Sequence, residues 1–200
     1  MLCPNVAVLL TTLFAVAPAV LADDWPNWRG PHHDGVSSEK GFEAKWEKAP
    51  PKLWEREIGS AFSGLSCVGG RVYTCGTAEG QQTVLCLDAD TGEVLWKTPL
   101  EKEYRDRQGG DGTRATPAVS GGRVYVIGAS GKLACLDAAD GKPVWSRQFD
   151  KVPKWGYSGS VLLDGERAII PVGGEGALRA VETQTGKDVW KCGEGLAGYA

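Results

Sequence analysis

The chain has 200 residues, a net charge of −3 and 42% apolar residues, enough for one or two domains with a packed core. Acids and bases are interspersed, so no basic face is present to attract a phosphate backbone, which argues against a nucleic-acid partner. With 28 Gly and 8 Trp beside a single Met, the composition points to tight turns between strands rather than to helices.

Residues 1–22 read as an export signal. The uncharged apolar run VAVLLTTLFAVAPAV (6–20) ends in Val20-Leu21-Ala22, a small-residue cleavage pattern, just before Asp23-Asp24. No Lys or Arg precedes the run, and the alternative is an uncleaved membrane anchor. The run is short for a span and holds Pro18, so cleavage after Ala22 is expected. Cys3 leaves with the signal; at the front of the run it does not fit a lipid-modified Cys. The mature chain is therefore expected outside the cytoplasm, periplasmic or extracellular, with no stable membrane span.

Residues 23–61 form an N-terminal segment that includes LWEREIG (53–59), which has the pattern of a lone outer strand: Leu53-Trp54 matches Leu95-Trp96 and Val144-Trp145. Three longer units follow, at about 62–99, 114–149 and 157–192, and a further one begins at 195–200. Each opens with an apolar strand A and a Gly-Gly or Asp-Gly pair (69–70, 121–122, 164–165), read as a type I′ turn with positive φ at both central residues, and an apolar strand B. Strand C ends at an acid (Asp88, Asp137, Glu182), and a turn with Gly in the left-handed position (Gly92, Gly141, Gly186) leads to strand D and its Trp (Trp96, Trp145, Trp190).

Trp-to-Trp spacings of 49 and 45 residues, with four strands per unit, are the period of an all-β propeller of four-stranded antiparallel blades. Val124-Tyr125-Val126-Ile127 and Leu133-Ala134-Cys135-Leu136 are apolar at consecutive positions, so both faces of their sheet must be covered. No segment has helical periodicity, and other sheets must supply the cover. Strand A is expected nearest the axis and strand D outermost, with the strand D Trp a wedge against the next blade and Trp145 largely buried. About three complete blades in an open arc imply part of a larger propeller, its missing blades coming from further sequence or another chain, and residues 24–58 loosely held. Five Cys remain in the mature chain without a C-x-x-C pair; Cys86 and Cys135, mid-strand, read as small buried hydrophobes rather than disulfide partners.

The unit G-R-V-Y…L-x-C-L-D-A-x-T-G-x-x-x-W, with the opening DWPNWRGPHHDGVS (24–37), resembles the repeat of exported bacterial PQQ-like (quinoprotein-type) β-propellers over residues 23–200. That family includes calcium- and PQQ-dependent alcohol dehydrogenases, an outer-membrane assembly scaffold and members of no known activity. The resemblance implies, for the catalytic members, a disulfide between adjacent Cys residues, a stacked Trp and a carboxylate base beside calcium. No Cys-Cys pair occurs in this chain, and every repeat Trp except Trp155 is a strand D residue.

Other candidates have structural readings. His32-His33-Asp34 is the only His cluster, too few for a metal site without a third His. Asp88, Asp90, Asp137 and Asp140 crowd turns, but Gly92 falls one position short of the EF-hand pattern, so turn hydrogen bonding explains them. The long connection LEKEYRDRQGGDGTRATP (100–117) must cross one propeller face; its Ala-Thr-Pro has no bearing on nucleotides. Tyr104, Arg105, Arg107 and Arg114, with Trp155 and Tyr157 from the next connection, form the expected partner face, since propellers hold ligand sites on loops over a rigid frame. The expected function is an exported, non-catalytic binding or scaffold module with a protein or cell-envelope partner and no cofactor. The alternative is a fragment of a PQQ-dependent alcohol dehydrogenase, with PQQ and calcium.

Overall fold

The computed structural model describes residues 23–41 and 45–198; the export-signal reading of 1–22 lies outside them. Three four-stranded antiparallel sheets follow in chain order, and no helix is present among the described residues. The first holds β1 (Ser66–Val68), β2 (Arg71–Ala78), β3 (Gln81–Asp88) and β4 (Val94–Lys102). The second holds β5 (Ala118–Ser120), β6 (Arg123–Ile127), β7 (Lys132–Asp137) and β8 (Pro143–Gln148). The third holds β9 (Leu162–Asp164), β10 (Arg167–Pro171), β11 (Gly174–Glu182) and β12 (Asp188–Gly195). Strands pair in sequence order within each sheet, and the short inner strands β1, β5 and β9 touch one another in turn, as blades of a propeller do.

The continuous apolar strands of the second sheet split by period two onto two cores. Val124 and Val126 of β6, with Ala134 and Leu136 of β7, meet Tyr73, Cys75, Val84, Cys86 and Trp96 of the first sheet. Tyr125, Ile127, Leu133 and Cys135, on the other face, meet Ala168, Ile170 and Val181 of the third. Both faces are covered by sheets, as the absence of polar alternation required.

The turns follow their chemistry, with one correction. Gly69-Gly70 and Gly121-Gly122 have positive φ at both positions. In the third blade Asp164 is the last residue of β9, and the turn is Gly165-Glu166, with positive φ at Gly165 alone. A side-chain-bearing residue disfavours φ > 0, so the second central position stays in the ordinary region. At the C–D turns, Gly92, Gly141 and Gly186 have φ of 67°, 73° and 70°, and each N–H donates to the carbonyl of the acid four residues earlier. The Asp88 carboxylate also accepts from the N–H of Asp90 and Thr91 and from the Thr91 hydroxyl. The Thr91 bonds hold that carboxyl below the usual Asp range.

The strand D residues Trp96 and Trp145 dock on the turn of the following blade. The Trp96 Nε1–H donates to the Ala138 carbonyl (3.1 Å), and its ring lies where a Cβ on Gly141 would come within 2.5 Å. Trp145 repeats this on Thr183 (2.8 Å) and Gly186. Trp54, from the N-terminal segment, does the same on Ala89 (2.9 Å) and Gly92. Opposite each in-sheet Trp stands a small residue, Cys86, Cys135 or Ala180, with a register break directly after it in the β3–β4, β7–β8 and β11–β12 pairs. Cys86 and Cys135 are fully buried free thiols, and burial pushes Cys135 up to about 11. Trp96 is buried, whereas Trp145 is only half-buried and Trp190 likewise. Trp145 packs against the core between the second and third sheets but is less completely covered than Trp96.

Two stretches of the N-terminal segment, 25–26 and 54–58, are held against the sheets, which narrows the expectation that residues 24–58 are loosely held. Residues 53–59 belong to none of the twelve strands, yet Ile58 accepts from the Thr77 N–H, and Arg56 Nε donates to the Gly92 carbonyl. With Gly64, whose carbonyl accepts from the Thr74 hydroxyl, this stretch covers the outer face of the first sheet. Trp25 pairs with Cys67, and Pro26 accepts from the Val119 N–H, so residues 25–26 tie β1 to β5.

Candidate binding face

The connections from strand D to the next strand A and the B–C turns share one side of the sheets. There the chain builds an aromatic–cation cluster. The Arg114 guanidinium lies 4.7 Å from the Tyr104 ring centroid and 5.5 Å from that of Phe62. It is fixed by donating to three carbonyls, Gly109 (3.2 Å), Gly110 (2.7 Å) and Gly112 (2.8 Å). The loop around it is folded by carboxylates: Asp106 accepts from the N–H of Gln108 and Gly109, and Asp111 accepts from that of Asp106. These backbone bonds hold the Asp106 carboxyl below its usual range. Two glycines permit the fold, since a Cβ on Gly112 would fall 2.0 Å from the Ser60 oxygen and one on Gly110 2.7 Å from the Phe62 ring.

The next connection meets this one. The Tyr104 hydroxyl donates to the Lys154 carbonyl (3.4 Å), and Lys154 Nζ lies 4.8 Å from the Trp155 ring. Trp155 flanks Gly109, where a Cβ would come 3.3 Å from its ring. Phe62 is 62% exposed and Trp155 38%, so the cluster offers aromatic faces to solvent while its cation is preorganised.

Of the six residues read from sequence as a partner face, Tyr104, Arg114 and Trp155 come together here. Arg105 is exposed and pairs with Glu103 (2.9 Å), and Arg107 is exposed nearby. Tyr157 is excluded from the face: it is 2% exposed, and its hydroxyl donates to the carbonyls of Val172 (2.8 Å) and Lys151 (3.1 Å). Burial pushes its phenol up to about 12. Phe62 was missed, although the recurrence of aromatic-Ser-Gly at 62–64 and 157–159 signals it.

Two further features were not read from sequence. Glu101, at the end of β4, accepts from the N–H of Ser130 (2.8 Å) in the second blade's B–C turn and of Lys132 (3.3 Å) at the start of β7. The fully buried Gln82 donates to Glu101 (3.0 Å) and accepts from the Ala129 N–H (2.8 Å). Burial raises the Glu101 carboxyl above its usual value, against the hydrogen bonds that lower it. The second feature is at the axis side, where Trp28, Arg29, His33, Ser160 and Leu162 border a cavity of about 290 Å³. Arg29 and His33 have φ of 66° and 57°, uncommon for residues with side chains. His32, His33 and Asp34 are exposed, and Asp34 caps the Val36 N–H. Among the described residues no group of three His, Cys, Asp or Glu has metal-site geometry.

The family model described as outer membrane protein assembly factor BamB, of the PQQ-like repeat type, matches residues 46–193. Quinohemoprotein alcohol dehydrogenase ADH-IIG of Pseudomonas putida is 30% identical over 134 residues, covering 62% of this chain and 18% of that protein. BamB of Burkholderia pseudomallei is 23% identical over 131 residues, covering 64% of this chain and 32% of its own. The chain thus spans less than a third of the length of either. Among solved structures, BamB of Moraxella catarrhalis superposes with a TM-score of 0.51 at 26% identity, over 72% of this chain and 40% of that one. Quinohemoprotein alcohol dehydrogenase of Comamonas testosteroni gives 0.62 at 24% identity, over 84% and 27%, which speaks for the fold alone.

Proposed function

The chain belongs to the PQQ-like β-propeller repeat family, and from that premise we propose that it is an exported, non-catalytic module that binds a protein partner of the cell envelope. The observation that carries this reading is the Phe62–Tyr104–Arg114–Trp155 cluster, a rigid aromatic and cationic surface of the composition that dominates protein interfaces. The similarity to BamB, an assembly factor by name, supports a partner of this class and a location outside the cytoplasm.

A second reading, part of a PQQ-dependent dehydrogenase, is favoured by the 30% identity to the Pseudomonas enzyme. The described residues do not fit a quinone. The indole N–H groups of Trp54, Trp96 and Trp145 are committed to turn carbonyls, the Asp88 carboxylate is committed to its own turn, and the free thiols stand apart in sequence.

Two experiments test the proposal. A photo-cross-linking residue in place of Phe62, in cells, is expected to give an adduct that Arg114→Glu abolishes; the same residue in place of Asp90, on the opposite turns, should give none. Equal labelling from both positions overturns the partner face. Equilibrium dialysis against PQQ and calcium is expected to show no uptake, and micromolar uptake overturns the non-catalytic reading.

A further inference from the structure

The first and second blade junctions are built on the same plan, and a gap in the second marks a site. Glu101 stands five residues after Trp96, and Asp150 stands five residues after Trp145. Gln82 stands four residues before Cys86, and Gly131 four before Cys135. In the first junction the Glu101 carboxylate, with Gln82, plugs the neighbouring B–C turn. In the second junction the acid is one methylene shorter, is exposed, and makes no hydrogen bond among the described residues. Gln82 has no counterpart there, because Gly131 is enclosed by the Phe149 carbonyl and the Tyr157 ring.

A cavity of about 330 Å³ lies at this rim, between the end of β8 and the third blade's B–C turn. Arg147, Lys151, Arg179 and Lys191 line it, against only two acids, Asp150 and Glu175. Arg147 and Arg179 are held together by Asp188, at 2.6 and 3.2 Å, and both guanidinium groups lie beside the Phe149 ring, at 4.8 and 5.8 Å. Lys191 reaches Glu175 at 3.5 Å. Two donors are left over: Arg179 Nε is buried without a hydrogen-bond partner, and Lys151 is in no ion pair among the described residues. A buried unpaired donor beside surplus positive charge is satisfied by an anion.

We infer that this cavity takes a carboxylate from outside the chain, the group that Glu101 supplies from within at the first junction, and that its source is an acidic peptide segment. The site is separate from the Phe62–Arg114 cluster and does not rest on it. Loss of cross-linking at Phe62 leaves this inference standing, and failure here leaves the cross-linking result standing.

The probe is a fluorescein-labelled tetraglutamate peptide, read by anisotropy against the full chain, with tetraglutamine as the neutral control and free glutarate as the small carboxylate. Tetraglutamate is expected to bind, tetraglutamine is not, and salt of about 0.5 M is expected to weaken binding by about tenfold. Lys151→Gln, at an exposed residue outside the core, should weaken binding several-fold without changing the melting temperature. Asp150→Glu restores the length of Glu101 and should plug the cavity, abolishing binding while the fold is kept. Peptide binding tighter than glutarate assigns the site to an acidic segment; glutarate binding as tightly assigns it to a free carboxylate and overturns the peptide source. No binding of either, or binding unchanged in both variants, overturns the site.

Discussion

The two blade junctions share their apolar plan and differ in what closes the rim. Both use a strand D Trp on a turn glycine, with the indole N–H on the carbonyl after the turn's acid. The first adds a half-buried carboxylate and a buried amide that reach across to the next blade's turn amides, and its Trp is buried. The second substitutes a cluster of cations around Phe149 and leaves its Trp half-buried. The shared part is architecture, and the differing part is where the proposed carboxylate site lies. A repeat holds its turn chemistry constant because each turn is the socket of the preceding Trp.

The largest expected effect is on that socket. Trp96→Ala should cost about 3–5 kcal/mol of unfolding free energy, the range for losing a buried Trp. Trp145→Ala should cost clearly less, because its ring is already partly in water. Chemical denaturation of both variants checks this, and equal losses would break the asymmetry between the junctions. Next in size, Glu101→Ala removes the acceptor of the Ser130 and Lys132 N–H groups and one of the two acceptors of the buried Gln82 amide, which keeps the Lys102 carbonyl, at about 1–3 kcal/mol. Asp150→Ala should stay within about 0.5 kcal/mol, since it removes an exposed side chain without hydrogen bonds.

A smaller effect concerns pH. The Glu101 carboxyl is raised in the fold by burial, so the folded chain binds its proton more readily than the unfolded chain. Its contribution to stability therefore grows as pH falls from neutrality through the raised folded value, and levels off below the ordinary Glu value. Asp188 is lowered, chiefly by its hydrogen bond to Arg147, and loses its contribution only in more acid solution, as pH falls through its depressed value. The melting temperature of the wild type should thus rise relative to Glu101→Gln as pH falls from 7 to about 4, near the ordinary Glu value. A constant difference across that interval would show that Glu101 does not titrate as a buried group.

The sequence carried the parts that local chemistry decides. Gly-Gly at 121–122 and Gly four residues before each Trp are backbone requirements, so they were legible as turns. Consecutive apolar residues at 124–127 and 133–136 could be read as a sheet covered on both sides. What escaped depends on distant pairings. Glu101 meets Ser130 across 29 residues and Gln82 meets Ala129 across 47, and neither has a local pattern to announce it. Tyr157 looked like a surface aromatic because its connection is a loop, yet its hydroxyl finds the Val172 carbonyl and the ring is buried. Trp54 was recognisable as a strand D residue, but only the fold showed that its indole, the Arg56 guanidinium and the Ile58 carbonyl hold the segment without a sheet.

The most direct test of the account is amide hydrogen exchange at the two B–C turns, in the wild type and in Glu101→Ala. The account predicts that the Ser130 and Lys132 amides, both bonded to Glu101, exchange about tenfold faster or more in the variant, the equivalent of about 1.4 kcal/mol. The Val172 and Gly173 amides, bonded to the Ala177 carbonyl within the third blade, should change no more than global stability does. Unchanged protection of Ser130, or equal loss at both turns, would contradict the claim that the first junction is closed by its own carboxylate and the second is not.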